Sequence, residues 1–159
     1  MNKDIEATVK KFFESVYRYT NNIWEWYAIK GENVKQIIEQ INVVKAQEGL
    51  IAKIFKEKSN NVVDTYKLNQ LATQMMEQFP GRSAFVKPNS DDNSMLEAYR
   101  GVIHGIMDYV YYGLPVEKFL EPLKQWYFLT SNKSMKGLIY PFLPLKHFIV
   151  KEHSQSLQK

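Results

Sequence analysis

Apolar residues in this chain recur every three or four positions, not every second one, and that period predicts helices throughout. From Asp4 to Ile29, Val9, Phe12, Val16, Ile23 and Tyr27 fall on one side of a helix, with Phe13 and Trp24 widening the stripe. This helix should end near Gly31. A second is expected from about Asn33, carrying Val34, Ile37, Ile38, Ile41, Val44, Ile51 and Phe55 on one side up to the polar run KEKSNN. Gly49 inside it would mark a kink or a close contact. A third, near Asn61 to Phe79, uses Leu68, Leu71, Ala72, Met75 and Phe79, and the pair Pro80-Gly81 stops it.

The stretch PGRSAFVKPNSDDNS is rich in turn formers and predicts a long loop near residues 80–94. Ser94 and Glu97 then match a capping box, in which hydroxyl and carboxylate each satisfy a free backbone N–H, so a fourth helix starts there. Gly113 suits its C-terminal cap. In LPVEKFLEPLKQWYFL, Pro115 fits a first turn and Val116, Phe119, Leu120, Leu123 and Tyr127 align, while Pro122 should bend or divide the helix. A short helix from Leu145 to His153 would close the chain. With no alternating strand pattern and no repeat, the expected fold is all-α, a compact bundle of five or six helices. Residues 1–159 would form a single all-helical domain with a basic C-terminal segment, 130–159.

Composition adds constraints to this scaffold. A chain of 159 residues suits one domain, and its 22 aromatics (14%) imply an aromatic core with rings to spare for a contact surface. The absence of cysteine excludes disulfides, thiol catalysis and thiolate metal sites. The N-terminal MNKDIEATVKKFF has no apolar signal core, and the apolar stretch GLIYPFLPLKHFIV is short and broken by Pro141, Pro144 and Lys146. A cytoplasmic protein without a transmembrane segment is therefore expected. The net charge of +4 is unevenly spread: residues 130–159 hold five lysines against the single Glu152, and the rest of the chain balances. Only three basic residues are arginines, so the tail suits diffuse attraction to an anion better than base-specific readout.

The fourth helix holds the most suggestive pattern. On a wheel of about 100° per residue, Arg100, His104 and Asp108 line up opposite the apolar arc, with Gly101 and Gly105 just beyond them. Such a line can hold an anion or move a proton, since histidine titrates near neutrality. The ordinary alternative is a solvated face whose i,i+4 pairs contribute about 0.2–0.5 kcal/mol each. The glycines weigh against an ordinary face, because an exposed helical glycine costs roughly 0.8–1 kcal/mol relative to alanine. Two of them four apart call for the close approach of another backbone, from this chain or from a partner. A small all-α domain with an Arg and a His on one helix face resembles the HEPN ribonucleases. Their signature, however, places four to six residues between Arg and His and a polar residue after the Arg. Arg100 and His104 are separated by three and Gly101 takes the polar position, so no catalytic role is carried over and this reading stays a distant alternative.

Two further surfaces are candidates. Trp26 points about 160° away from Trp24 and is an outward-facing anchor if Trp24 and Tyr27 face the core. In the tail, Trp126, Tyr127, Phe128 and Tyr140 stand near Lys124, Lys133 and Lys136, with Lys146 beyond, the mixture of cations and rings that single-strand binding surfaces use; the ordinary alternative is core rings next to a solvated loop. His147 and His153 have no metal-ligand spacing, and no nucleotide or hydrolase motif occurs, so no cofactor and no metal is expected. The sequence thus points to a non-enzymatic helical interaction or regulatory module that binds a protein partner or itself. A nucleic-acid-associated accessory subunit using the basic tail is the alternative.

Overall fold

A computed structural model describes residues 3–29, 34–87 and 90–132 of the chain. They form five α-helices: α1 (Lys3–Ile29), α2 (Val34–Lys58), α3 (Thr65–Glu77), α4 (Ser94–Tyr112) and α5 (Glu117–Asn132), with a 3-10 turn at Arg82–Ala84. There is no strand among the described residues, and the all-α bundle expected from periodicity is the observed class. The helix expected from Leu145 to His153, and with it Lys133, Lys136 and Lys146, lies outside the described residues.

Aromatic rings fill the centre. Trp126 of α5 is buried, and Phe12, Tyr19 and Phe85 meet it edge-on at centroid distances of 5.5, 5.8 and 5.8 Å. Edge-to-face contacts place the positive rim of one ring on the negative face of the next. The one polar atom of the indole is satisfied as well, since Nε1–H donates to Ser15 Oγ at 2.8 Å. This corrects the expected phase of α5: Trp126 is the core residue, Tyr127 is half-buried and Phe128 is exposed. Trp126 is therefore unavailable for stacking on a nucleic acid. Beside this cluster the buried amide of Gln47 donates to the Met75 carbonyl at 3.3 Å and to that of Gln78, and accepts from the Tyr99 hydroxyl. One side chain thus ties α2 to the end of α3 and to α4. Burial holds the Tyr99 phenol well above its ordinary range and pushes that of Tyr19 up to about 12.

The loop between α3 and α4 is better anchored than its turn-rich composition suggests. Ala84, Phe85 and Val86 are buried, Phe85 packs 4.9 Å from Tyr99, and Tyr27 donates to the Val86 carbonyl at 2.9 Å. Helix α4 begins at Ser94 as expected but by a different device from the capping box. Asn93 is the cap residue and uses no side-chain bond, while Asp92 Oδ1 accepts from the Ser94 N–H at 2.9 Å. At the other end Gly113 takes the left-handed conformation (φ 71°), and the Leu114 N–H reaches back to the Asp108 carbonyl at 3.0 Å.

Two positions depart from expectation in an instructive way. Gly49 has nothing within 4 Å of where a Cβ would stand, so it marks neither a kink contact nor a crossing. Pro122 does not divide α5, which runs unbroken through it. The proline has no N–H for the Lys118 carbonyl four residues back. That carbonyl faces Gly105 of α4 instead, 2.6 Å from the site a Cβ would occupy. A Cα–H in that direction is a weak donor of the kind found at close helix crossings.

Candidate functional site: the seam between α3 and α4

The two edges of α4 have different neighbours. On one edge, a Cβ on Gly105 would stand 2.3 Å from Phe119 Cβ and 2.5 Å from its Cα, and one on Gly101 would stand 2.9 Å from Pro122 Cβ. The close backbone approach that the glycines call for is thus made by α5 of the same chain. Gly105 is buried and Gly101 half-buried, which corrects their reading as exposed.

On the other edge the polar line runs beside α3 and the residues that follow it. Phe79, just past α3, is half-buried, and two members of the line lie on its ring. The His104 imidazole stacks on it at 5.3 Å with planes 22° apart, and the Arg100 guanidinium sits 5.5 Å from its centroid. A cation over an aromatic face in an exposed setting contributes about 0.5–1 kcal/mol. Asp108, one turn further, is half-buried, and its backbone carbonyl closes the C-terminal cap. No hydrogen bond or ion pair joins Arg100, His104 and Asp108 to one another, and Arg100 and His104 serve as a cover for Phe79.

Toward the end of α4 the same seam opens. The Tyr111 hydroxyl donates to Asn69 Oδ1 of α3, and the Tyr112 ring meets Tyr111 edge-on at 4.6 Å. A cleft of about 380 Å³ is lined by Asn69, Ala72, Thr73, Met76, Glu77, Tyr111 and Tyr112. A shallower one of about 300 Å³, between Tyr66, Asn69, Gln70, Thr73 and Gln74, shares Asn69 and Thr73 with it, so the two are one surface. Tyr66 and Tyr112 are 71% and 69% exposed and Met76 40%. In its 13 residues α3 carries a single basic residue, Lys67, and a single acidic one, Glu77. The open end of the seam is thus a strip of tyrosines, amides and a thioether in which Glu77 is the one charged lining residue.

No family model matches this chain, and neither does any curated protein or solved structure compared with it.

The remaining sequence candidates do not converge on the seam. Trp26 is 39% exposed with Lys87 Nζ 5.3 Å from its ring, and Trp24, expected in the core, is 36% exposed. Both indoles therefore lie at the surface of the last turns of α1, where Ile23 is the buried residue. Among the described residues no group of three or more His, Asp or Glu side chains is placed to hold a metal ion, and no helix is long and apolar enough to cross a membrane. Tyr66, Met76, Tyr111 and Tyr112 were not singled out by sequence. The available signal was the near absence of charge in TYKLNQLATQMME, unusual for a helix with a solvent-facing side.

Proposed function

We propose that this chain is a helical interaction module that binds a protein partner through the α3–α4 seam. The observation that supports the reading is the exposure of Tyr66, Tyr112 and Met76 around Asn69 and Thr73 on a face with almost no charge. Tyrosine and methionine are enriched at protein interfaces and lysine and glutamate depleted. A tyrosine ring also brings a large contact area with only two torsions to immobilise. The partner should offer an uncharged surface with apolar patches for the rings and backbone or amide groups for Asn69, Gln70 and Thr73.

The test is site-specific photo-crosslinking in the native host, with a photoreactive phenylalanine derivative at position 112 and, as a control, at position 53. A discrete protein adduct, another copy of the chain included, should form from position 112 and not from 53. Tyr66→Ala should reduce its yield about tenfold or more, as for a hot-spot ring, with the helical circular dichroism unchanged. Equal cross-linking from both positions, or an adduct indifferent to Tyr66→Ala, would sink the reading.

A further inference from the structure

Between the N-terminal half of α1 and the C-terminal half of α2 lies another cleft. Its volume is about 670 Å³, within the range of small-molecule sites. Val9 and Phe13 from α1 and Ile51 and Phe55 from α2 form its walls, and the small side chains of Ala7 and Ala52 leave the space open. The lining is asymmetric along its length. At one end stands Glu48, whose carboxylate accepts the Tyr17 hydroxyl. At the other stand Lys3, in the first turn of α1, and Lys56, in the last turn of α2. Lys10 and Glu6 sit on the α1 rim between them.

Lys56 also lines a second cleft, of about 450 Å³, between α2 and α3. There it is joined by Lys53 and Lys67, with Asn60, Gln70 and Gln74 as neutral hydrogen-bonding groups. The one carboxylate in this lining, Glu57, is buried and already engaged. It accepts hydrogen bonds from the Asp64 N–H at 3.1 Å and Asn60 Nδ2 at 3.0 Å, and it is ion-paired with Lys67 Nζ at 3.6 Å. Those hydrogen bonds, the backbone one first, hold its pKa below the usual carboxylate value, so it stays charged and keeps the turn into α3 in place. The cleft nevertheless remains net positive, with Lys53, Lys56 and Lys67 in its lining against the single Glu57.

An apolar groove and a cationic cleft therefore meet at one residue, Lys56. We infer that this pair of cavities binds a single-chain lipid with a phosphate head group, the acyl chain between α1 and α2 and the phosphate on Lys53, Lys56 and Lys67. Val9, Phe13, Ile51 and Phe55 supply burial for methylene groups, and the polar side chains stand at the rim and the two ends, which suits an unbranched hydrocarbon chain. Glu48 at the far end repels an anion, so the chain's methyl end points there and the head group to Lys56. A phosphate monoester, with nearly two negative charges and three acceptor oxygens, matches several lysines better than a single carboxylate does. The apolar groove shares none of its lining with the α3–α4 seam, while the cationic cleft borders the seam at Gln70 and Gln74.

The test is titration of the full chain with oleoyl lysophosphatidate below its micelle concentration, alongside monooleoylglycerol of the same chain length and inorganic phosphate. The expected result is affinity for lysophosphatidate about tenfold or more above that for monooleoylglycerol, an amount appropriate to charge-assisted hydrogen bonds. Lys56→Gln should remove most of that preference while leaving monooleoylglycerol unchanged. Ala52→Phe, which fills the groove, should abolish both lipids, and Ala7→Phe from the opposite wall gives the same reading if the first variant does not fold. The inference is overturned by equal affinity for the two lipids, by a preference indifferent to Lys56→Gln, or by inorganic phosphate competing as well as the lipid. Binding to phosphatidate vesicles without binding to the monomeric lipid would also overturn it, since that is recognition of a membrane surface.

Discussion

The two edges of α4 invite comparison because they are built from adjacent residues. Arg100 precedes Gly101 and His104 precedes Gly105, so a rotation of one residue separates an open seam from a sealed one. At Gly105 the backbone of α5 comes so near that a Cβ would stand 2.5 Å from Phe119 Cα. At His104, by contrast, the contact is one ring lying on another at 5.3 Å, with solvent on the outer side. The tight edge fixes α4 against α5 through backbone and short side chains, which leaves few alternative arrangements. The loose edge is held by flat, adaptable contacts and keeps its tyrosines available. In this fold the glycines record an internal crossing, and the surface for a partner lies where side chains are long.

The largest predicted effect breaks the tight edge. Gly105→Ala forces a methyl group into Phe119 and the Lys118 carbonyl, and backbone must move to admit it. Overpacking of this kind costs typically about 1–3 kcal/mol, and with backbone as the obstacle the upper end is expected, about 3 kcal/mol, despite the ~1 kcal/mol that alanine gains in helix propensity. At Gly101 the obstacle is the Pro122 ring at 2.9 and 3.0 Å, and the net loss should be smaller, about 1 kcal/mol. Gly49→Ala, with open space around it, should instead stabilise by about 0.8–1 kcal/mol. Urea denaturation of the three variants checks the series, and a Gly105→Ala protein as stable as the parent would remove the crossing as the reason for that glycine.

How much of this was legible beforehand follows from which physics is local. Helix order and the ends of α1, α2 and α4 were readable because periodicity, Gly113 and the polar run after Phe55 act within a few residues. The two glycines announced a close approach but not its partner, since which helix lies alongside is set by tertiary packing. Pro122 misled because its missing N–H was judged within α5 alone, whereas the freed Lys118 carbonyl faces Gly105 across the crossing. Trp126 and Tyr127 were placed one position out of phase, an error of about 100° that periodicity tolerates at a helix whose last turns are aromatic on every side. The seam itself was invisible: Tyr66 and Tyr112 are 46 residues apart in sequence, and nothing in either segment states that α3 and α4 pair. The loop was underestimated because Ala84, Phe85 and Val86 form one short buried run among turn formers, and three consecutive residues leave no period to detect.

A middle-sized effect probes the loose edge through its support. Phe79→Ala removes the ring on which Arg100 and His104 lie and should cost about 2 kcal/mol, less than the 3–5 of a fully buried aromatic because Phe79 is only half-buried. The substitution should also loosen the junction between α3 and the following loop, readable as faster amide exchange at Gln78 and Gly81. A loss as large as that of Gly105→Ala would mean that the two edges are equally tight and would erase the contrast drawn here.

The smallest effect is the sharpest test of what the polar line is for. If Arg100 and His104 only cover Phe79, Arg100→Ala should cost about 0.5–1 kcal/mol, as for an exposed cation–π contact, and His104→Ala no more than about 0.5 kcal/mol, as for a surface substitution. Each loss should vanish when made in the Phe79→Ala background, because the ring that gave the contact its value is gone. Double-mutant cycles from denaturation midpoints measure this directly. Persistence of the His104→Ala loss without Phe79 would assign the imidazole a partner other than that ring. The cross-linking yield at position 112 then separates two roles for His104: a cover residue leaves it unchanged, whereas a residue that itself meets the partner lowers it while stability stays put. In the second case the partner's footprint runs from Tyr112 past Asp108 to His104, along the whole seam.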